Sequence, residues 1–224
     1  MTTHLLIYVA DPMCSWCWGF SPVLEEVTRR YHDRVSFQLM MGGLRPGNTE
    51  RFDESRRAYI LQHWHAVHKR TGQPFNFQFQ MEPDFTYDTE PASRATVVVR
   101  QLVPGKEWAF LKSVQEAFYV QNADVTKAEV LENLAVKLGV DASQFRQTFQ
   151  GPQMKPLVWE EFDQARQLGV SGFPTLLGRQ GQSVSTLMHG YQDFESLAPL
   201  LEQFLQKEAS IQTSQVQQYE ADVD

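Results

Sequence analysis

The chain has 224 residues, which at roughly 150 residues per domain corresponds to between one and two domains. Apolar residues make up 42% and charged residues 21% of the sequence, as in globular proteins that fold without a metal or a disulfide framework. The 20 basic residues are outnumbered by 27 acidic ones, giving a net charge of -7 that argues against a nucleic acid partner. There is no apolar run of the roughly 18 residues that a membrane-spanning helix needs, so we expect no membrane association.

The first 43 residues have the pattern of a strand, a helix and a second strand. Residues 4–10 are rich in aliphatic side chains and stop at Asp11-Pro12, which predicts a short buried strand. A helix is predicted from Ser21-Pro22 to about Arg30, followed by a strand over 35–41. No basic segment precedes the first apolar run and no cleavage site follows it, which predicts a cytoplasmic location.

From about residue 44 helical patterns dominate, and we interpret residues 44–168 as an inserted helical domain. Residues 1–43 and 169–207 then form one α/β domain, and 208–224 are predicted to be a flexible tail. The predicted helices are 48 or 49 to 69, a helix starting at 89–91, 107–120, 126–138, 142–149 and 154–168; the predicted strands are 174–178 and 183–188, and a closing helix covers 193–206.

The only two cysteines, Cys14 and Cys17, lie three positions apart at the first junction between a strand and a helix. Unpaired backbone N–H groups and the positive end of the helix dipole favour a thiolate at such a junction. We therefore predict Cys14 as a nucleophile. Cys17, one helical turn later, can attack a mixed disulfide formed on Cys14, which is the resolving role.

An alternative for the two cysteines is half of a zinc site, and a second alternative is a pair of buried thiols without a role. A zinc site needs a second pair of ligands, which His63, His65 and His68 would have to supply. Those histidines lie far along the predicted insertion. Solvated or core positions account for them better.

A second motif is the loop 169–176 (GVSGFPTL), which leads into a predicted strand through Pro174. Alone it is an ordinary start of a strand. With the cysteine pair upstream, however, the chain resembles the DsbA-like branch of the thioredoxin superfamily, and within it a cytoplasmic bacterial group of protein-disulfide isomerases that is related to FrnE-like and 2-hydroxychromene-2-carboxylate isomerase-like proteins. Residues 11–20 (DPMCSWCWGF) resemble the active-site segment of that group and residues 170–175 (VSGFPT) its cis-proline loop.

The resemblance covers the chain up to about residue 207. It implies an α/β thioredoxin fold, β-α-β followed by β-β-α, with a large inserted α-helical domain. It also implies that Cys14 attacks, that Cys17 resolves, and that a cis Pro174 orients the substrate backbone. Protein or peptide thiols and disulfides are the implied substrates, glutathione is a candidate redox partner, and no tightly bound organic cofactor is expected. The oligomeric state stays open.

Two positions depart from better-known relatives. Strongly oxidising members have proline and histidine between the cysteines, whereas this chain has Ser15-Trp16, so a less oxidising couple is expected. Many thioredoxin-like folds bury a carboxylate six residues before the nucleophile, where this chain has Tyr8. Asp11, or water, would then have to take up the proton.

Apolar residues around the cysteines predict a shallow platform for an extended substrate, formed by Met13, Trp16 and Phe173. Trp18 and Phe20 are instead expected to pack the helix onto the sheet.

Two rival functions remain open. One is a glutathione-dependent isomerase or a kappa-class-like transferase, enzymes of similar fold that usually carry serine at the position of Cys14. The other is a non-catalytic, chaperone-like binding protein whose thiols are idle. Loss of Cys14 would abolish disulfide exchange, but it would leave either rival function in place.

Overall fold

A computed structural model of the chain describes residues 4–206. The predicted tail, 208–224, lies outside this range. No helix within it is long and apolar enough to cross a membrane. The elements are β1 (His4–Ala10), α1 (Ser15–Tyr31), β2 (Ser36–Met41), α2 (Glu54–Thr71), α3 (Glu90–Leu102), α4 (Glu107–Tyr119), α5 (Ala128–Lys137), α6 (Ala142–Gln150), α7 (Met154–Gln167), β3 (Thr175–Gln180) and β4 (Ser183–His189), followed by α8 over 194–206.

The four strands form one sheet in the order β2-β1-β3-β4. Strand β1 pairs in parallel with β2, while β3 is antiparallel to both β1 and β4. A crossover helix, α1, joins the two parallel strands, as such a connection requires. The sheet and its helices confirm the predicted α/β thioredoxin fold with a helical insertion.

Strand β1 is buried on both faces, which explains why its sequence is a continuous apolar run. Leu6, Tyr8 and Ala10 face the large core that includes α1 and the inserted helices. Ile7 and Val9 face the opposite side, where they pack with Ala165 and Val170. The carboxyl end of β1 therefore lies deep in the molecule, and it delivers the cysteine-containing loop to a fixed position.

Helix α7 packs on the sheet, although we predicted it as the last helix of the insertion. Its Ala165 lies in the cluster beneath β1, and its Glu161 accepts a hydrogen bond of 2.6 Å from the backbone N–H of Met41 at the end of β2. The other helices between β2 and α7 share one continuous core with the first face of the sheet. The predicted boundaries at 44 and 168 stay a prediction.

Helix α1 begins at Ser15 with Cys14 as its N-cap, so the predicted start at Ser21-Pro22 is wrong. Pro22 lies inside the helix and has no N–H to donate to the carbonyl oxygen of Trp18 one turn earlier. The side-chain amide of Gln73 donates to that oxygen instead, at 2.8 Å. This tertiary hydrogen bond compensates for the proline, and no local pattern indicates it.

Helix α2 begins at Glu54, several residues later than predicted. Asp53 is its N-cap and accepts a hydrogen bond of 2.9 Å from the backbone of Arg56. The helix ends at Gly72, as predicted, because glycine adopts the left-handed φ of 75° at the C-cap without strain. The remaining bounds of helices and strands agree with the predictions to within two residues.

Candidate active site

The sulfur of Cys14 lies at the N-terminus of α1. The backbone N–H of Cys17 donates to this sulfur at 3.4 Å, and the Cys14 thiol lies 3.7 Å from the carbonyl oxygen of Phe173. Cys14 is 5% exposed and Cys17 is fully buried one helical turn later. Both are free thiols. The predicted placement of Cys14 at a helix N-terminus is therefore present in the structure.

The surroundings of Cys17 oppose its ionisation. Burial raises the pKa of the Cys17 thiol well above its ordinary value, and the hydrogen bond and charge of Cys14 raise it further. Tyr8 lies against both sulfurs, and burial, together with the charges of Cys17 and Cys14, raises the pKa of its hydroxyl. A hydrogen bond with the Cys17 thiol raises the pKa of the Tyr8 hydroxyl further. Electrostatics thus favours a thiol at Cys17.

Asp11 is a fully buried carboxyl group three residues before Cys14. Its two oxygens accept hydrogen bonds from the backbone N–H groups of Met13, at 2.8 Å, and of Leu44, at 2.7 Å. Burial raises the pKa of Asp11 to about 6, and these hydrogen bonds oppose the rise. The carboxyl group thus connects the active-site loop with the segment after β2 through hydrogen bonds. The sequence did not indicate this connection, because Leu44 contributes only its backbone N–H.

The insertion also contacts the active-site loop. The hydroxyl of Tyr87 donates to the carbonyl oxygen of Met13 at 2.6 Å. Trp18 stacks on Tyr119, with ring centroids 6.3 Å apart, and its indole N–H donates to the carbonyl oxygen of Pro74 at 2.9 Å. Trp18, which we expected to pack α1 onto the sheet, therefore has its stacking and hydrogen-bond partners in the insertion.

Phe20 behaves as predicted. Its ring lies 5.7 Å from that of Tyr8, so it packs α1 against the central strand of the sheet.

The peptide bond between Phe173 and Pro174 is cis, as the resemblance implies. The carbonyl oxygen of Pro174 accepts a hydrogen bond of 2.8 Å from the N–H of Gly190, just after β4. The ring of Phe173 fills the space over Gly42, where a Cβ atom would come within 1.9 Å of the ring. Gly42 therefore allows the cis-proline loop to approach the end of β2.

The surface beside the sulfur of Cys14 differs from the predicted platform. Met13 is fully buried, because its backbone is held by Asp11 and Tyr87 and its side chain points into the core. It cannot touch a substrate, so that prediction is corrected. Trp16 and Phe173 are partly exposed and line a cavity of about 350 Å³ together with Arg70, Gly190 and Tyr191. No spacing in the sequence links those last three to the cysteines.

The histidines weighed as zinc ligands have other neighbours. His65 stacks on Phe77 with centroids 4.0 Å apart, and Nδ1 of His68 lies 2.7 Å from the carbonyl oxygen of Gln73. Within residues 4–206 there is no group of three or more histidine, cysteine or acidic side chains placed to hold a metal ion.

A thioredoxin sheet, a Cys-x-x-Cys pair at the start of α1 and a cis-proline beside it together define a thioredoxin-fold dithiol protein. Residues 6–202 match the DSBA-like thioredoxin domain, and the chain belongs to that family.

Two solved structures are similar over almost the whole chain. A provisionally assigned protein disulfide isomerase from Nitrosomonas europaea is 41% identical, with a TM-score of 0.85 over 91% of this chain and 98% of the other. The cytosolic disulfide reductase DsbM from Pseudomonas aeruginosa is 24% identical, with a TM-score of 0.74 over 90% of this chain and 98% of the other; it has also been crystallised with GSH. The likeness to DsbM concerns the fold alone.

A curated relative carries a different description. The ClpXP adapter protein SpxH from Halalkalibacterium halodurans is 24% identical over 172 residues, which cover 75% of this chain and 56% of the relative. The matched region is therefore little more than half of that protein.

Proposed function

We propose that this protein is a thiol-disulfide oxidoreductase or isomerase in which Cys14 attacks and Cys17 resolves. The observation that carries the proposal is the hydrogen bond of 3.4 Å from the N–H of Cys17 to the sulfur of Cys14. That N–H and the positive end of α1 stabilise negative charge on the Cys14 sulfur. Burial raises the pKa of Cys17, so its thiol keeps its proton until it attacks the mixed disulfide.

The exchange proceeds in two balanced steps. The Cys14 thiolate attacks one sulfur of a substrate disulfide, the substrate S–S bond breaks, and the departing thiolate takes up a proton. Cys17 then loses its proton and attacks the Cys14 sulfur, which releases the second substrate thiol and forms a bond between Cys14 and Cys17. The substrate gains two electrons and the protein loses two. In the reverse direction the protein oxidises a dithiol.

The substrates proposed are thiols and disulfides of proteins or peptides, and glutathione is a candidate redox partner. Trp16 and Phe173 flank the sulfur and offer apolar contact, while the cis Pro174 orients the substrate backbone. The DsbM structure with GSH supports a glutathione partner, and the description of DsbM as cytosolic agrees with a cytoplasmic location. No tightly bound organic cofactor is required for this chemistry.

The test uses two serine variants and small disulfides. Cys14→Ser should lose exchange activity completely. Cys17→Ser should still attack, but it should accumulate a mixed disulfide on Cys14 that is visible as a mass increase and is removed by dithiothreitol. Ser15→Ala, which keeps both sulfurs, should retain activity. Exchange activity that survives in Cys14→Ser would refute the proposal.

A second candidate is an adapter or chaperone-like role in which the thiols are idle, and the SpxH relatives favour it. Binding of a client protein should then be the same in the wild type and in Cys14→Ser. The glutathione-dependent isomerase and kappa-class alternatives are not favoured, because those enzymes usually carry serine at the position of Cys14, whereas this chain has a cysteine there and a second one at position 17.

A further inference from the structure

The cavity lined by Trp16 and Phe173 has one cationic side chain in its lining. Trp16, Phe173 and Tyr191 supply aromatic walls, with the rings of Trp16 and Tyr191 5.9 Å apart. Arg70, from the last turn of α2, is the cation. Phe173 also connects this cavity to the site, since its carbonyl oxygen lies 3.7 Å from the Cys14 sulfur. A molecule bound through a disulfide to Cys14 therefore lies next to this cavity.

Arg70 is held in a defined position. One of its terminal nitrogens, Nη2, donates to Asp193 at 2.8 Å, and its guanidinium lies over the ring of Tyr191 at 5.1 Å. The other oxygen of Asp193 accepts a hydrogen bond of 3.1 Å from the backbone of Ser196 at the start of α8. Asp193 is thus shared between Arg70 and a helix N-terminus, and the guanidinium has further N–H donors that can face an anion.

We propose that Arg70 makes this cavity a subsite for the carboxylate of small acidic thiols and disulfides, so that the protein prefers anionic low-molecular-weight partners over neutral ones. The planar guanidinium matches a carboxylate in shape and charge. About 350 Å³ is within the range of small-molecule sites. The inference rests on the proposed exchange function, and it assigns Arg70 a role in specificity and not in the chemical step.

The experiment measures single-turnover oxidation of the fully reduced protein, so that no external reductant is needed. Three disulfides are compared: oxidised glutathione, which is anionic; hydroxyethyl disulfide, which is neutral; and cystamine, which is cationic. Arg70→Gln should slow oxidation by oxidised glutathione about five-fold, the effect of a partly exposed ion pair. It should leave the rate with hydroxyethyl disulfide unchanged and should not slow cystamine.

Two further variants act as controls. Lys69→Gln removes the same charge from the neighbouring residue, which is exposed and does not line the cavity, and it should keep wild-type rates. Arg70→Lys keeps the charge but not the planar shape, so it should restore part of the rate with oxidised glutathione.

The outcomes separate the two proposals. The subsite would be overturned if Arg70→Gln slowed oxidation by all three disulfides equally. It would also be overturned if Lys69→Gln slowed oxidation by oxidised glutathione as much as Arg70→Gln does. An unchanged rate of Arg70→Gln with oxidised glutathione would overturn it as well. If the wild type reacts with hydroxyethyl disulfide through Cys14 but shows no charge preference, only the subsite fails. If the reduced wild type reacts with none of the three, the exchange function fails and the subsite fails with it.

Discussion

The hydroxyl group of Tyr87 donates a hydrogen bond of 2.6 Å to the carbonyl oxygen of Met13, the residue before the attacking cysteine. Tyr87 is buried and lies just before α3, within the helical part of the chain. The backbone that leads into Cys14 is therefore held on one side by Asp11 and on the other by this tyrosine. The insertion contributes to the shape of the active-site loop as well as to its surroundings.

Tyr87→Phe should lower the free energy of unfolding by about 1–3 kcal/mol, because it leaves the buried carbonyl oxygen of Met13 without this donor. Urea denaturation measures the change. The control is Tyr59→Phe, which removes the same hydroxyl group from an exposed tyrosine. That variant should change the free energy of unfolding by less than about 0.5 kcal/mol. Equal losses in both variants would contradict the assignment of the Met13 contact.

The pH dependence of stability should report Asp11. Its pKa is about 6 in the folded protein and about 3.9 in an unfolded chain, so the folded state binds more protons between those values. The contribution of Asp11 to the free energy of unfolding therefore falls as pH rises through that interval, by about 3 kcal/mol at most. Denaturation of the wild type and of Asp11→Asn should be compared from pH 4 to pH 7.

The expected difference has a definite sign. The wild type should lose stability relative to Asp11→Asn as pH rises, because the variant carries no titrating carboxyl group at this position. Curves that run parallel over the whole interval would show that Asp11 does not titrate there.

Gly42→Ala should disturb the cis-proline loop. The added Cβ atom would come within 1.9 Å of the ring of Phe173, so the ring must move and carry the backbone beside Cys14 with it. We expect a loss of about 1–3 kcal/mol in stability and slower attack on small disulfides. A crystal structure of the variant with Phe173 in its original place, and an unchanged rate, would contradict this.

The redox couple of this protein should be less oxidising than that of the strongly oxidising relatives. The reduction potential of those relatives is about -120 mV. Here Ser15-Trp16 stands between the cysteines, and no histidine cation stabilises the thiolate from within the pair. A redox titration followed by tryptophan emission measures the potential, since Trp16 and Trp18 flank Cys17. The double variant Ser15→Pro, Trp16→His should shift the potential upward. A wild-type potential near -120 mV would contradict the prediction.

Local patterns predicted most of the secondary structure because periodicity and stop signals act over a few residues. Gly72 ends α2 as expected, and the strand at 4–10 is where its apolar run predicts it. The start of α1 was missed for a different reason. Pro22 lies in that helix because Gln73, 51 positions later in the chain, donates to the carbonyl oxygen of Trp18.

The same distinction applies to the site. The spacing of Cys14 and Cys17 and the position of Pro174 are visible in the linear chain, whereas Arg70, Tyr87 and Tyr191 are not marked by any motif. Tyr87 reaches the active-site loop through the carbonyl oxygen of Met13, and Arg70 and Tyr191 share a cavity with Trp16, because segments distant in the chain pack together.

By itself, the sequence determined the thiol pair, its place at the junction of a strand and a helix, and the family of the fold, since all of these depend on neighbours in the chain. Only the tertiary structure decided that Met13 is buried, that Asp11 is a buried carboxyl group that accepts a hydrogen bond from the backbone of Leu44, and that a guanidinium lines the same cavity as Trp16 and Phe173. Burial and contact between distant segments are set by packing in three dimensions, and the one-dimensional pattern does not contain that information.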